Sequence, residues 1–235
     1  MLKYISKGNG KVLLLLHGYK SCKESFVNQI DFFSKYYKVI AVDLSGFGEN
    51  NKLESVYFLD DYILDLIKFL KGKNITDFDV ICHSFGARLI LKSDELRSMC
   101  GKLIITGGAG LKTKKGIRYY FKIYTYKFLK KICPNSKILN KFGSAEYRLL
   151  SNLEKQTYKN IVNENLDYKL KDIKNKTLII YGDRDKTTPL YLAKRLKKGI
   201  TGSRLYVIKG AGHFAFIDKI REFNYIAKEF LLSQE

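Results

Sequence analysis

Proline is nearly absent from this 235-residue chain, with two in all, so no Pro-rich linker divides it. Long apolar runs are missing too. The longest purely aliphatic stretch, Val12–Leu16, falls far short of the roughly 20 residues that span a bilayer. The first eleven residues carry neither the apolar run nor the small-residue cleavage site of a secretory signal. The four cysteines (Cys22, Cys82, Cys100, Cys133) show no paired metal-ligand spacing, and no metal or cofactor is expected. A chain this long holds together without disulfides, so free thiols in a reducing cytoplasm are the expectation. No repeat of fixed period occurs, which excludes a solenoid or propeller.

What is present suits one domain with a small insertion. Hydrophobic residues make up 46%, enough for a packed core, and this excludes disorder. Lys and Arg number 43 against 23 Asp and Glu, a net charge of +20. Such a balance is read either as a lysine-painted surface or as attraction to nucleic acid or another acidic partner.

Short aliphatic runs bounded by Gly, Asp or Lys read as strands buried on both faces. They are Val12–Leu16, Val39–Val42, Asp79–Cys82, Leu103–Thr106, Leu178–Tyr181 and Leu205–Ile208. Leu2–Ile5 reads as an edge strand that turns at Gly8-Asn9-Gly10 back into the Val12 strand. Helical spacing recurs between them, at Phe26 to Tyr37, Leu59 to Leu70, Leu190 to Leu196 and Phe223 to Leu231, while Leu89, Ile90 and Leu96 continue from Ser84. Strand alternating with helix predicts an α/β fold with a mostly parallel sheet flanked by helices. From 111 to 172 no buried strand is legible. That segment reads as several helices inserted after the strand near 103–106, over the open end of the sheet. The core is then 1–110 plus 173–235.

Four strand-end motifs carry chemistry. Cys82-His83-Ser84-Phe85-Gly86 lies between a strand and a helix, where a serine on a sharp turn stands exposed. The Phe85 amide at that helix start is placed to donate to an oxyanion. His17-Gly18-Tyr19 follows the first central strand, and the Tyr19 amide is a second such donor. Gly182-Asp183-Arg184-Asp185 offers two carboxylates able to fix a histidine tautomer; Asp185 is preferred, with Asp183 as a turn residue. Gly210-Ala211-Gly212-His213 leaves a histidine free on a loop after the last strand. The chain order Ser84, Asp185, His213 separates this arrangement from other serine triads.

These motifs, with Asp43-Leu44-Ser45-Gly46-Phe47-Gly48 and Pro189, resemble the α/β-hydrolase superfamily over nearly the whole chain outside the insertion. The resemblance implies a serine hydrolase of the carboxylesterase type acting on a small-molecule ester or thioester through an acyl-enzyme. Ser84 would be the nucleophile, Asp185 the acid, His213 the base, and Tyr19 and Phe85 the oxyanion amides. His17, Gly18, His83 and Gly86 would support them. The insertion matches the superfamily's helical cap. Cys82 stands where the family usually has its first elbow glycine; cysteine is small, and the turn is expected to survive. Serine at 84 argues against haloalkane dehalogenases, which use aspartate there. Lyases, acyltransferases and non-catalytic members share the fold, so fold alone does not fix the reaction.

Between Leu111 and Lys141 lie ten basic residues, Lys114, Lys115, Arg118 and Lys122 among them, and no Asp or Glu. Three readings stay open: a solvated lysine face, a dock for an acidic partner, or attachment to an anionic membrane. The second is similar to pimeloyl-carrier-protein methyl esterases, whose basic cap receives an acidic acyl carrier protein. A ligand-binding or scaffold protein with a basic cap is the non-enzymatic alternative. No nucleic-acid motif occurs, so no such partner is expected.

Overall fold

A computed structural model describes residues 1–113 and 149–233. Seven strands form one sheet: β1 (Tyr4–Lys7), β2 (Val12–Leu16), β3 (Lys38–Val42), β4 (Phe78–His83), β5 (Cys100–Thr106), β6 (Lys176–Gly182) and β7 (Arg204–Ile208). Their order is β1-β3-β2-β4-β5-β6-β7, and every pair except β1 with β3 is parallel. The helices of the described residues are α1 (Val27–Phe33), α2 (Leu59–Gly72), α3 (Phe85–Lys92), α4 (Asp94–Ser98), α5 (Asn152–Asn163), α6 (Leu190–Gly199), α7 (Ala215–Asp218) and α8 (Ile220–Leu232).

The pleat sorts each strand's side chains between two cores. Leu14, Leu16, Val80, Leu103, Ile105 and Ile179 face α2, α3, α4 and α6. Leu13, Leu15, Ile81, Ile104 and Ile180 face α1, α7 and α8. Parallel strands covered on both sides are apolar at every position, which is why the continuous runs mark them. The six parallel strands lie where the sequence puts them, and the fold is the expected α/β type; β7, expected to be buried on both faces, is instead an edge strand with Arg204 and Tyr206 exposed.

The edge strand differs from expectation in two ways. It covers Tyr4–Lys7 rather than Leu2–Ile5, and it pairs with β3, not with β2. The apolar content explains the arrangement. Leu13 to Leu16 are fully buried, each worth about 1.5–3 kcal/mol when removed from water, so β2 belongs inside the sheet with a strand on either side. Three of the four residues of β1 are exposed, and such a strand belongs at the rim.

The helix expected to continue from Ser84 to Leu96 is broken. Ser93 adopts an extended backbone and its hydroxyl accepts the Leu96 amide at 3.1 Å, ending α3 and capping α4. Within 111–172 the described residues form α5 and a 3₁₀ turn at Asp167–Asp172, with no strand among them. No helix of the described residues is long and apolar enough to cross a membrane.

Candidate active site

Ser84, Asp185 and His213 follow β4, β6 and β7, at the carboxyl ends of the parallel strands where open α/β sheets take ligands. Ser84 sits at φ 47° and ψ −104°, a conformation that costs a non-glycine residue on the order of 1–3 kcal/mol. The turn is held from both sides. The Ser84 amide donates to the Thr106 carbonyl at 3.1 Å, and the Ser84 carbonyl accepts the amides of Ala87 and Ala109. Gly86 is needed because α3 starts directly against β2: a Cβ on it would lie 2.6 Å from the Leu16 carbonyl oxygen. Cys82 is fully buried, and its thiol donates to the Ile104 carbonyl. The side chain at this first elbow position therefore points into the sheet, and the sharp turn two residues later is kept.

His213 Nδ1 lies 2.9 Å from Asp185 Oδ2. Asp185 Oδ1 accepts the amides of Thr187 and Thr188, and Oδ2 also accepts the Thr188 hydroxyl, each at 2.8 Å. Burial opposes ionisation of Asp185, but the bonds from His213 and Thr188 outweigh it and hold the carboxyl below its ordinary range. Asp183 faces elsewhere and accepts the Gly210 amide at 2.7 Å, fastening the β6 loop to the loop that carries His213.

That loop reaches the elbow. His213 leans on His83, the residue before Ser84, with ring centroids 4.6 Å apart and the planes tilted by 54°. Gly107, just past β5, lets it approach, since a Cβ there would lie 3.0 Å from His213 Cε1. Among the described residues the Ser84 hydroxyl makes no hydrogen bond to His213. Such bonds are commonly long in unliganded enzymes and tighten around substrate.

His17 is fully buried and kept below its usual pKa by burial. Its Nε2 accepts the Leu44 amide at 3.0 Å, so Nδ1 carries the proton and donates to the Gly18 carbonyl at 2.7 Å. The Ser21 amide donates to the same carbonyl. Anchoring that oxygen fixes the Gly18–Tyr19 peptide plane, and its trans geometry directs the Tyr19 N–H to the opposite side. The Phe85 amide, in the first turn of α3, has no intrahelical acceptor to meet. The rings of Tyr19 and Phe85 pack edge to face 6.2 Å apart, and Tyr158 of α5 leans on Tyr19 at 5.0 Å.

α5 is tied down as well. Arg88, four residues after Ser84, donates to the carbonyls of Val162 in its last turn and Glu164 just past its end. Burial pushes this guanidinium down to about 10. Beneath the Tyr19 loop a buried ion pair joins Lys23 to Asp43 at 2.8 Å, and Asp43 also accepts the Lys23 and Glu49 amides.

Reading the sequence missed Thr188, Gly107 and Lys23. The Asp-x-x-Thr spacing before Pro189, a local side-chain-to-backbone turn pattern, was the available signal for Thr188. Lys114, Lys115, Arg118 and Lys122 lie outside the described residues. Among the described residues no cluster of His, Cys, Asp or Glu is suited to hold a metal ion.

Known proteins share this plan. The chain is 26% identical to 2-hydroxy-6-oxo-6-(2'-aminophenyl)hexa-2,4-dienoic acid hydrolase of Metapseudomonas resinovorans, over 97% of this chain and 87% of that protein. It is 25% identical to 2-hydroxy-6-oxo-6-phenylhexa-2,4-dienoate hydrolase of Comamonas testosteroni, over 98% and 91%. Its fold matches an esterase from Exiguobacterium antarcticum with a TM-score of 0.77, at 21% identity over 99% of this chain and 96% of that one. The model of the alpha/beta hydrolase family matches residues 13–224. With that match covering the parallel strands from Leu13 onward and the strand-end loops described above, the chain belongs to the alpha/beta hydrolase family.

Proposed function

We propose that this hydrolase cleaves a carboxylic ester or thioester through an acyl-enzyme on Ser84. The observation that carries the reading is the strained Ser84 backbone next to His83, whose ring meets a His213 already paired with Asp185. In this reading Ser84 Oγ attacks the acyl carbonyl while His213 Nε2 takes its proton. Asp185 holds the Nδ1 tautomer and stabilises the imidazolium. The Tyr19 and Phe85 amides receive the oxyanion; loss of one such donor costs about 3–4 kcal/mol in comparable sites. His213 then protonates the leaving group, and water releases the acid. In this reading the segment 111–172 is the candidate cap, and its basic residues are the candidate dock for an acidic acyl carrier protein.

A second reading is favoured by the near full-length relatives, whose names describe hydrolysis of 2-hydroxy-6-oxo-dienoates. There the attacked carbonyl is a ketone and the bond cleaved is carbon–carbon. One experiment separates the two: turnover of a p-nitrophenyl ester series from acetate to decanoate beside 2-hydroxy-6-oxo-6-phenylhexa-2,4-dienoate, by wild type and Ser84→Ala. Ester turnover lost in the variant supports the first reading. Dienoate turnover with inert esters replaces it with the second. A Ser84→Ala protein that keeps full activity on either substrate, or that a fluorophosphonate still labels at the wild-type rate, overturns both.

A further inference from the structure

We propose that His83 is a positioning residue whose one imidazole sets the nucleophile, the base and an oxyanion donor relative to one another. The inference rests on the reading of Ser84 and His213 as nucleophile and base.

His83 is the last residue of β4, so its backbone leads directly into the Ser84 turn. Its side chain is 1% exposed and reaches two further loops. The ring Nε2–H donates to the backbone carbonyl of His213 at 3.1 Å. This bond joins the elbow to the base-bearing loop across 130 residues of sequence. Rings surround the contact: His213 at 4.6 Å, Phe214 at 4.8 Å and Phe216 at 5.1 Å between centroids.

The opposite nitrogen faces the third loop. A Cβ on Gly18 would lie 2.8 Å from His83 Nδ1 and 3.3 Å from Ser84 Cβ. The Gly18 backbone, which carries the anchored peptide leading to Tyr19, therefore packs directly on the imidazole edge. Nδ1 itself is buried and has no hydrogen-bond partner among the described residues. Because Nε2 must carry the proton to donate, Nδ1 presents a bare lone pair toward Gly18. Burial first, and then the neighbouring His213, push His83 down to about 3, so the ring stays neutral and keeps this tautomer.

A neutral histidine suits the task. Phenylalanine would fill the space and lose the donor. Asparagine would stop short of the His213 carbonyl. Glutamine reaches nearly as far as Nε2 and donates. A purely structural residue would affect only how much protein folds, whereas a positioning residue changes the rate at each folded site.

The test is the rate of Ser84 labelling by a fluorophosphonate, with p-nitrophenyl acetate turnover beside it, in wild type, His83→Phe and His83→Gln. Active sites are counted from the labelling end point. Expected for His83→Phe is a loss of about 10–100-fold in labelling rate and kcat per active site, the scale of sub-ångström misplacement, with KM nearly unchanged. His83→Gln should recover most of that loss. If His83→Phe does not fold, His83→Asn serves in its place with the same expected loss. A His83→Phe or His83→Asn variant that labels at the wild-type rate overturns the inference, as does a glutamine variant no better than the one it is compared with. A wild-type protein that the probe never labels instead overturns the proposed function.

Discussion

The Thr188 hydroxyl donates to Asp185 Oδ2 at 2.8 Å and lies 3.3 Å from His213 Nδ1, so it touches both members of the acid–base pair. Together with the two backbone amides on Oδ1 it keeps the Asp185 carboxylate charged and aimed.

Thr188→Val removes that donor while keeping the side chain's shape. The folded protein should lose about 0.5–1.5 kcal/mol, the usual net value of one hydrogen bond. The sign with pH follows from Asp185, whose carboxyl is depressed on folding. Its stabilisation is present above the unfolded value of about 4 and is lost as pH falls through the lower native value. The variant, with Asp185 nearer normal, should therefore unfold at a higher pH during acid titration. Circular dichroism from pH 7 downward checks this; an unchanged acid midpoint would show that Thr188 does not govern the carboxylate.

Ser84 gives a second test that needs no substrate. At positive φ only glycine is free of Cβ strain. Ser84→Gly should therefore exceed Ser84→Ala in stability by about 1 kcal/mol, or roughly 2–4 °C in Tm for a chain of this size, despite glycine's entropic cost elsewhere. Both variants should be inactive. Melting curves showing alanine the more stable would remove the strain from the account.

The Lys23–Asp43 pair supplies a third. Lys23 is 4% exposed and Asp43 fully buried, and Lys23 remains charged to higher pH than a free lysine because its bonds to Asp43, Glu24 and Glu49 outweigh its burial. Lys23→Met strands a buried carboxylate and should cost about 3–5 kcal/mol. Adding Asp43→Asn should cost less than the sum of the single changes, because the two side chains share one interaction. Additive losses in denaturant unfolding would mean that the pair is not coupled.

The legibility of these features tracks how local their causes are. Val12–Leu16 announces itself because a strand covered on both faces has to be apolar throughout, which is a property of five adjacent residues. The neighbour of β1 is not legible, since pairing with β3 is decided by which strand most needs the interior. The halt of α3 at Ser93 is hidden inside an apolar helical pattern and is visible only through its hydroxyl's bond to Leu96. Ser84, Asp185 and His213 stand out by strand-end context and chain order. Lys23 and Gly107 do not, because each acts through a partner distant in sequence. Asp183 illustrates the middle ground: its carboxylate sits two positions from Asp185 yet serves the Gly210 amide.

Cys82 has a practical consequence. Its sulfur is sealed inside the sheet, bonded to the Ile104 carbonyl, and burial raises its pKa well above that of an ordinary thiol. Thiolate is the form that alkylating reagents attack, so maleimides and iodoacetamide at neutral pH should pass this sulfur by. The elbow thus holds two nucleophilic atom types of opposite chemical visibility. Among the described cysteines Cys22 is the partly exposed one, and burial raises its thiol's pKa as well, so Cys82 is the better hidden of two reluctant sulfurs.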